Sequence, residues 1–316
     1  MGCSEKSILQ MARLAALGGV SLTLLAGCQS SPSTLINQGA VVTLTGATEL
    51  ESQAKIVRAI VRRDTVLFGE VHDNPAQHAL RAKLVGEAIA QGARPAMAFE
   101  QFDRNLQPRI DAVLANRPKS AEAFLAELFP PDASARPKGW QWPLYAPLID
   151  IALKNDLPIV AANLSRADAI KVSMSGVDAV FDAPTKTLVG LDRTIAMTVR
   201  DEQRRAIKEG HCNALSDEGI NAMANAQLAR DALLAQRLLA HLNRGVILFA
   251  GNGHTRRDAG VGYWLRDTPA IKFTSIGLLE RGDSPINNDG KFDIVLTTNP
   301  HPREDPCIAF RARKPQ

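Results

Sequence analysis

The chain has 316 residues, of which 45% are hydrophobic and 22% charged, a composition typical of a folded protein and not of a disordered one. This length is enough for one large α/β domain or two small ones. The 37 basic and 33 acidic residues give a net charge of +4 that is spread along the chain without a basic run. We therefore expect no nucleic-acid partner.

The N-terminal segment has the pattern of a secretion signal. Lys6 and Arg13 give a weakly basic start, residues 14–25 are apolar, and Leu-Ala-Gly then precedes Cys28. This pattern resembles a bacterial lipoprotein signal, in which the chain is cleaved before a cysteine that carries lipid. Residues 1–27 are therefore predicted to be a signal peptide and Cys28 the lipidation site.

Two other interpretations of this segment are weaker. The opening Met-Gly-Cys resembles a myristoylation start, but that motif requires Ser or Thr at the sixth position, where this chain has Lys6. A single transmembrane anchor stays open as an alternative, although the apolar segment is short and ends in small residues.

Residues 28–45 are predicted to tether the lipid to a domain that covers residues 46–312. By resemblance to the sorting rules of such lipoproteins, Gln29 favours the outer membrane over the inner one. Two cysteines, Cys212 and Cys307, are left in the domain. A disulfide between them is possible in an oxidising compartment, and the sequence leaves this pairing open.

Short apolar runs of strand length alternate with helical patterns along the domain. The predicted strands span residues 65–70, 96–100, 158–163, 246–251, 271–279 and 292–297. The predicted helices span about 75–91, 105–116, 120–128, 144–155 and 216–242. This alternation predicts an α/β fold with a largely parallel sheet covered by helices. Residues 168–212 fit the alternation less well and are predicted to form a mostly helical insertion or lid.

Polar residues follow the carboxyl ends of four predicted strands. They are Glu70 and His72, Glu100 and Arg104, Asn163 and Arg166, and Asn252 and His254. Parallel sheets bind ligands in the crevice outside the carboxyl ends of their strands. We therefore expect these side chains to line one crevice, although strand ends that meet water are often polar for that reason alone.

Four of these side chains suit a divalent metal such as zinc or manganese, because imidazole and carboxylate are its usual ligands. They are Glu70, His72, Glu100 and His254. The alternative is a hydrogen-bonded network in which the carboxylates orient the histidines. His78 lies one turn into the following helix and is predicted to face either the crevice or solvent.

All five Trp and Tyr residues fall in two groups, Trp140, Trp142 and Tyr145, then Tyr263 and Trp264. Grouped planar rings suit a flat apolar ligand or a contact surface. The alternative is that these rings pin helices to the sheet.

Three motifs occur in a specific order. They are Leu-Phe-Gly-Glu-Val-His-Asp at 67–73 with His78, Phe-Glu-Gln-Phe-Asp-Arg at 99–104, and Gly-Asn-Gly-His at 251–254 followed by Gly260 and Val261. Between them lie Trp142-x-x-Tyr145-x-Pro147, Ala161-x-Asn163 and Arg230-Asp231. Over residues 64–297 the chain thus resembles the ChaN-like haem-binding lipoproteins, in a superfamily with the Tiki proteases and the erythromycin esterases.

This resemblance implies haem binding linked to iron acquisition, with a homodimer and an outer-membrane haem receptor as the expected protein partners. It implies a tyrosine as iron ligand, with Tyr145 as the first choice and Tyr263 as the second. The residues expected to complete the coordination, or to bind the phenolate or a propionate, are His72, His78, His254, Arg104 and Arg166.

The alternative is hydrolysis of the protease or esterase type. The Gly-Glu-x-His and late histidine motifs serve catalysis in those relatives. Glu70 or Glu100 would then act as a general base on water, while His72 and His254 would bind a metal or share proton transfer. A cell-envelope scaffold that retains a polar cleft is a third interpretation.

Overall fold

The computed structural model describes residues 34–37, 40–43, 47–129, 139–268, 271–282, 290–305 and 307–308. The predicted signal peptide, residues 1–27, and the lipidation site Cys28 lie outside this part of the chain. Within it, no helix is long and apolar enough to cross a membrane.

Two β-sheets are present in the described residues. The strands are β1 (Thr34–Asn37), β2 (Ala40–Thr43), β3 (Thr65–Phe68), β4 (Ala96–Asp103), β5 (Ile159–Asn163), β6 (Val246–Phe249), β7 (Phe273–Glu280) and β8 (Ile294–Thr298). β1 and β2 form an antiparallel pair, and the other six form one sheet in the order β5-β4-β6-β3-β7-β8. All five pairings in this larger sheet are parallel, which confirms the predicted fold class.

Helices cover both faces of the six-stranded sheet. They are α1 (Ala47–Val61), α2 (Pro75–Ala90), α3 (Gln107–Ala115), α4 (Ala121–Leu128), α5 (Trp142–Lys154), α6 (Arg166–Ser175), α7 (Ala183–Val189), α8 (Met197–Gly210), α9 (Asp217–Leu239), α10 (Asn252–Thr255) and α11 (Val261–Leu265). Successive side chains of a strand point to opposite faces, and the core divides accordingly. Val66 and Phe68 pack with α1, α2 and α5, whereas Leu67 packs with α9 on the other face.

All six predicted strands of the sheet are confirmed, with shifts of one to three residues at their ends. β3 ends at Phe68, before Glu70, because the chain then turns toward the start of α2. Asn74 caps this helix as its side-chain oxygen accepts hydrogen bonds from the N–H groups of Ala76 and Gln77. The sequence interpretation missed α1 and also the β1–β2 hairpin, which lies in the stretch predicted to be a tether.

The insertion predicted over residues 168–212 is helical, since it contains α7, α8 and most of α6. Cys212, in the turn between α8 and α9, is joined by a disulfide to Cys307, and their Cα atoms are 5.6 Å apart. The C-terminal segment after β8 is thereby fixed to the insertion. Arg303 of this segment also pairs with Asp73 at 2.8 Å and Glu280 at 2.6 Å.

Gly69 allows close contact of the chain after β3 with the short helix α10 and with strand β7. A Cβ atom at this position would lie 2.2 Å from Asn252 Oδ1 and 2.7 Å from the backbone oxygen of Ile276. These distances are far below normal carbon–oxygen contacts, and one of the two atoms belongs to the backbone. The glycine of the Gly-Glu-x-His motif is therefore required for packing at the crevice.

We expect Gly69→Ala to lower the free energy of unfolding by about 3 kcal/mol, because the added methyl group forces the backbone apart. Gly86, inside α2, is the matched control, since a Cβ atom there would contact nothing within 4 Å. Gly86→Ala should raise the free energy of unfolding by roughly 0.5–1 kcal/mol through better helix propensity. Urea denaturation followed by circular dichroism measures both, and equal effects of the two substitutions would contradict this account.

Candidate functional site

The carboxyl ends of the neighbouring strands β3, β6 and β4 bring four of the predicted site residues together. Glu70 and His72 follow β3, Glu100 lies within β4, and His254 lies in the short helix after β6. Backbone hydrogen bonds fix these segments, as the N–H of Asn252 donates to the carbonyl of Glu70 at 3.0 Å. Four side chains that were expected to share the carboxyl edge of the sheet therefore lie together there.

Glu70 is the centre of this site, and its side chain is fully buried. Its Oε1 atom accepts hydrogen bonds from His72 Nδ1 at 2.7 Å and from the Tyr145 hydroxyl at 2.7 Å. Its Oε2 atom forms an ion pair with Arg81, which is also fully buried. Gln101 donates a longer hydrogen bond of 3.4 Å to Oε1.

The protonation states follow from these contacts. Burial raises the pKa of Glu70, but the charge of Arg81 and the hydrogen bond from His72 outweigh it and lower the pKa to about 2. Burial lowers the pKa of His72, yet the hydrogen bond to Glu70 and the charge of Glu100 leave it raised. Glu70 is therefore an anion at neutral pH.

His78 lies inside the protein and does not face the crevice. Its Nε2 atom donates to the carbonyl of His72 at 2.9 Å, and its Nδ1 atom accepts from Arg81 at 2.8 Å. Burial and the charge of Arg81 lower the pKa of His78 to about 4, so the ring is neutral. His78 therefore holds the Glu70 network together, and the prediction that it contacts a ligand gains no support from this geometry.

Arg81 is the residue of this network that sequence reasoning missed. It lies three residues after His78 in α2, and residues at this spacing share a helix face. Arg81 shares a helix face with Leu84 and Ala88, which are both buried. This apolar spacing was the sequence pattern that could have predicted a buried arginine. A fully buried arginine requires a buried anion, and Glu70 is that anion.

A second hydrogen-bonded chain runs beside the first. His254 Nδ1 donates to buried Asp231 of α9 at 2.6 Å, and His254 Nε2 lies 3.4 Å from Glu100 Oε1. The other Glu100 oxygen accepts from the Gly251 N–H at 2.8 Å. Burial lowers the pKa of His254, but the charges of Glu100 and Asp231 raise it overall. His254 is therefore held between two carboxylates.

His72 is the accessible imidazole of the crevice, with 46% of its side chain exposed. Its ring packs over Gly251, where a Cβ atom would lie 2.9 Å from His72 Nε2. The edge of Trp140 contacts the same ring, with centroids 4.9 Å apart. No hydrogen bond among the described residues engages Nε2, whereas Nδ1 is bonded to Glu70.

Both tyrosines point into the protein. Tyr145 is fully buried, and burial together with the charge of Glu70 raises the pKa of its hydroxyl above the ordinary value. The Tyr263 hydroxyl accepts a hydrogen bond from the Ala196 N–H at 3.2 Å, and the guanidinium of Arg266 lies over its ring at 4.0 Å. Tyr263 and Trp264 pack in the core. This agrees with the alternative interpretation, in which these rings pin helices to the sheet.

The two arginines predicted to bind a propionate differ in their surroundings. Arg104 pairs with Asp168 of α6 at 3.3 Å and lies over the ring of Phe181 at 5.1 Å. Arg166, at the start of α6, is exposed. Both lie near the carboxyl end of β5, beside the histidine network and not inside it.

The metal site predicted from Glu70, His72, Glu100 and His254 is not formed. No three or more His, Cys, Asp and Glu side chains of the described residues are arranged to hold a metal ion. The physical reason is that Arg81 occupies one oxygen of Glu70, while Asp231 and Gly251 engage His254 and Glu100. The hydrogen-bonded network, which was the alternative, is what these residues form.

The fold and the site define a helix-covered parallel α/β protein with a buried acid–histidine network at the carboxyl edge of its sheet. The family described as haem-binding uptake, Tiki superfamily, ChaN matches residues 56–265. The chain belongs to this family, as the ordered motifs predicted. A search of curated proteins gives no match.

Solved structures with related folds include ChaN of Campylobacter jejuni with cofacial haem. This protein has a TM-score of 0.60 and 19% identity, over 78% of this chain and 92% of the other. The type III effector HopBA1 has a TM-score of 0.43 and 12% identity, over 79% and 94% of the two chains. The erythromycin esterase EreC has a TM-score of 0.38 and 13% identity, over 83% and 82%. Of these three, ChaN alone supports a shared fold.

We expect Glu70→Gln to lower the free energy of unfolding by about 3–5 kcal/mol at pH 7, because it leaves Arg81 buried without an anion. The lowered pKa of Glu70 means that the ionised carboxylate stabilises the protein above pH 4.5, and that this contribution is lost as the pH falls toward about 2. The difference between the two proteins should therefore shrink in acid, as measured by denaturation at several pH values.

The control for this measurement is Glu87→Gln, since Glu87 pairs with Lys83 at 2.9 Å but is 45% exposed. This substitution should change the free energy of unfolding by less than about 0.5 kcal/mol. An effect of Glu70→Gln as small as that of the control would show that the buried pair does not stabilise the crevice.

Proposed function

We propose that the protein binds haem at the carboxyl edge of its sheet and takes part in haem or iron acquisition. Family membership supports haem as the ligand. The observation that carries the proposal is the His72 imidazole, which is exposed at the crevice and held by a buried carboxylate. A flat aromatic group, Trp140, lies beside it.

The donor chemistry of His72 fits haem iron. Haem accepts a histidine nitrogen as its axial ligand, and a carboxylate on the opposite ring nitrogen makes that histidine a better ligand. Glu70 occupies Nδ1 and thereby fixes the tautomer, so Nε2 carries the lone pair whenever the ring is neutral. Haem, as the cargo, supplies the iron, and the protein supplies the ligand and an aromatic contact.

Ligation by a tyrosine is the expectation from the family resemblance, and Tyr145 was its first choice. In the present geometry the Tyr145 hydroxyl donates to Glu70 and is inaccessible, so ligation would require the phenol to leave the core. We therefore favour His72 and keep Tyr145 as the alternative that the same experiment tests.

The site of action is proposed from the sequence. A lipid on Cys28 would anchor the domain to the membrane, and Gln29 favours the outer membrane. A homodimer and an outer-membrane haem receptor are the protein partners proposed from the resemblance. Family membership is consistent with both.

Haemin titration of the full chain, followed by Soret absorbance, tests the ligand. We expect His72→Ala to weaken binding at least about tenfold and to shift the band, because the axial nitrogen is lost. His241 lies at the opposite edge of the sheet, in the segment before β6, and His241→Ala is the matched control. Its binding curve should equal that of the parent chain.

Tyr145→Phe and Tyr263→Phe complete this series. If His72 is the ligand, both variants should keep the position of the Soret band. Loss of the band in Tyr145→Phe with retention in His72→Ala would assign the iron to the tyrosine instead. Absence of any band in the parent chain would contradict haem binding altogether.

The lipid anchor has its own test. Cys28→Ser should leave the predicted signal uncleaved and the chain without lipid, because the modified cysteine is required for both lipid attachment and processing. Cys212→Ser is the control and should be processed and lipidated like the parent chain. Mass spectrometry of the mature N-terminus reads out cleavage and lipid, and an unmodified Cys28 would refute the anchor.

A further inference from the structure

A row of basic residues precedes four neighbouring strands of the sheet, at the edge opposite the crevice. The strands β4, β6, β3 and β7 are adjacent, and the row consists of Arg94, Arg244, Arg62 with Arg63, and Lys272. We call these five residues the basic edge.

The register of the sheet places these residues in line. Thr65 pairs with Val246 and with Phe273, and Ala96 pairs with Val246, so the four strands start at one level. Arg63, Arg244 and Arg94 each lie two residues before such a start, and Lys272 lies one residue before. Adjacent strands are about 4.8 Å apart, so the row extends over roughly 14 Å.

Direct contacts confirm that the residues are neighbours. Arg244 donates to the carbonyl of Arg94 at 3.0 Å, and a Cβ atom on Gly245 would lie 2.7 Å from Arg63 Cα. The N–H of Thr65 donates to the carbonyl of Lys272 at 3.0 Å. The basic edge is therefore a continuous feature of the folded protein, although its residues are scattered between positions 62 and 272 of the chain.

The positive charge of this row is mostly uncompensated. The segments that precede these strands contain two acidic residues: Asp64 pairs with Arg62 at 2.7 Å, and Asp267 pairs with Arg193 at 3.2 Å. Arg63, Arg94 and Lys272 are exposed, and no ion pair among the described residues involves them or Arg244. The same segments contain six basic residues, the five of the basic edge and Arg266, which leaves a charge of +4 in the described part of these segments.

A neighbouring histidine responds to this charge. His241 lies just before β6, and burial lowers its pKa, as do the charges of Arg237 and Arg244. The surroundings of the basic edge are thus electropositive. By contrast, buried carboxylates, including Glu70, Glu100 and Asp231, lie at the carboxyl edge of the same sheet.

We propose that the basic edge docks on the anionic headgroups of the membrane that carries the protein. The row is a line of long cationic side chains at the ends of strands, which suits a plane of lipid phosphates. This choice of partner uses the lipid anchor proposed above, and it does not depend on haem. Docking at this edge directs the crevice, at the other end of the strands, away from the membrane and toward soluble or receptor partners.

Hydrogen exchange of the full chain in reconstituted vesicles tests this docking. Vesicles of phosphatidylglycerol with phosphatidylethanolamine should slow exchange at residues 62–64, 91–95, 242–245 and 271–272, relative to vesicles of phosphatidylcholine. The N-terminal segment anchors the chain in both kinds of vesicle, so the two samples differ only in the charge of the lipid headgroups. In 1 M salt, where the screening length is about 3 Å, the protection should disappear.

Substitution identifies the residues responsible. The double variant Arg63→Gln with Lys272→Gln should lose most of the protection, because each cation near an anionic surface changes partitioning about fivefold. Arg204 and Lys208 are exposed residues of α8, and Arg204→Gln with Lys208→Gln removes the same charge elsewhere. This control should keep the protection.

Equal exchange in the two kinds of vesicle would overturn the proposal, and this holds even if the variants fold poorly. Protection by heparin or duplex DNA in solution, with none from anionic vesicles, would also overturn it in favour of an acidic polymer. Failure of the anchor is detected separately by mass spectrometry of the mature N-terminus, and failure of haem binding by the Soret band.

Discussion

Two full charges, on Glu70 and Arg81, lie buried against each other where the chain leaves the central strand β3. Burial of a single charge costs several kcal/mol, so each of these residues requires the other. The remaining hydrogen-bonding capacity of Glu70 is taken up by His72 and Tyr145. One carboxylate thereby fixes α2, α5 and the loop that carries the exposed imidazole, and the geometry of the crevice depends on it.

This arrangement separates two tasks among the polar residues. The inner group, with Arg81, His78 and Tyr145, is buried, and its Arg81 neutralises Glu70. The outer residue, His72, is oriented by the hydrogen bond between its Nδ1 atom and Glu70, and its side chain is partly exposed. A ligand-binding histidine whose second nitrogen is bonded to a fixed carboxylate loses little conformational freedom on binding. The polar strand end thus combines a structural network with one partly exposed imidazole.

The parallel sheet also gives the protein two chemically different edges. Acidic and imidazole groups lie where the strands end, and Arg63 and its neighbours lie where the strands begin. Parallel strands put all their beginnings at one edge and all their ends at the other, so residues far apart in the chain add up to a local field. The disulfide between Cys212 and Cys307 and the pairing of Arg303 with Asp73 hold the C-terminal segment beside the crevice edge.

Apolar periodicity and ordered motifs are local properties, and they were enough to predict the six strands of the sheet, five of its helices, the α/β class and the family. They also placed Glu70, His72, Glu100 and His254 at one edge of the sheet. The roles of these four residues at that edge follow from tertiary packing. Arg81 is the partner of Glu70 through the packing of α2 on the sheet, and the hydroxyl of buried Tyr145 donates to the other oxygen of the same carboxylate. The pairing of the buried charges of Glu70 and Arg81 depends on contacts between residues of different elements, and the periodicity of a single strand or helix carries no information about such contacts.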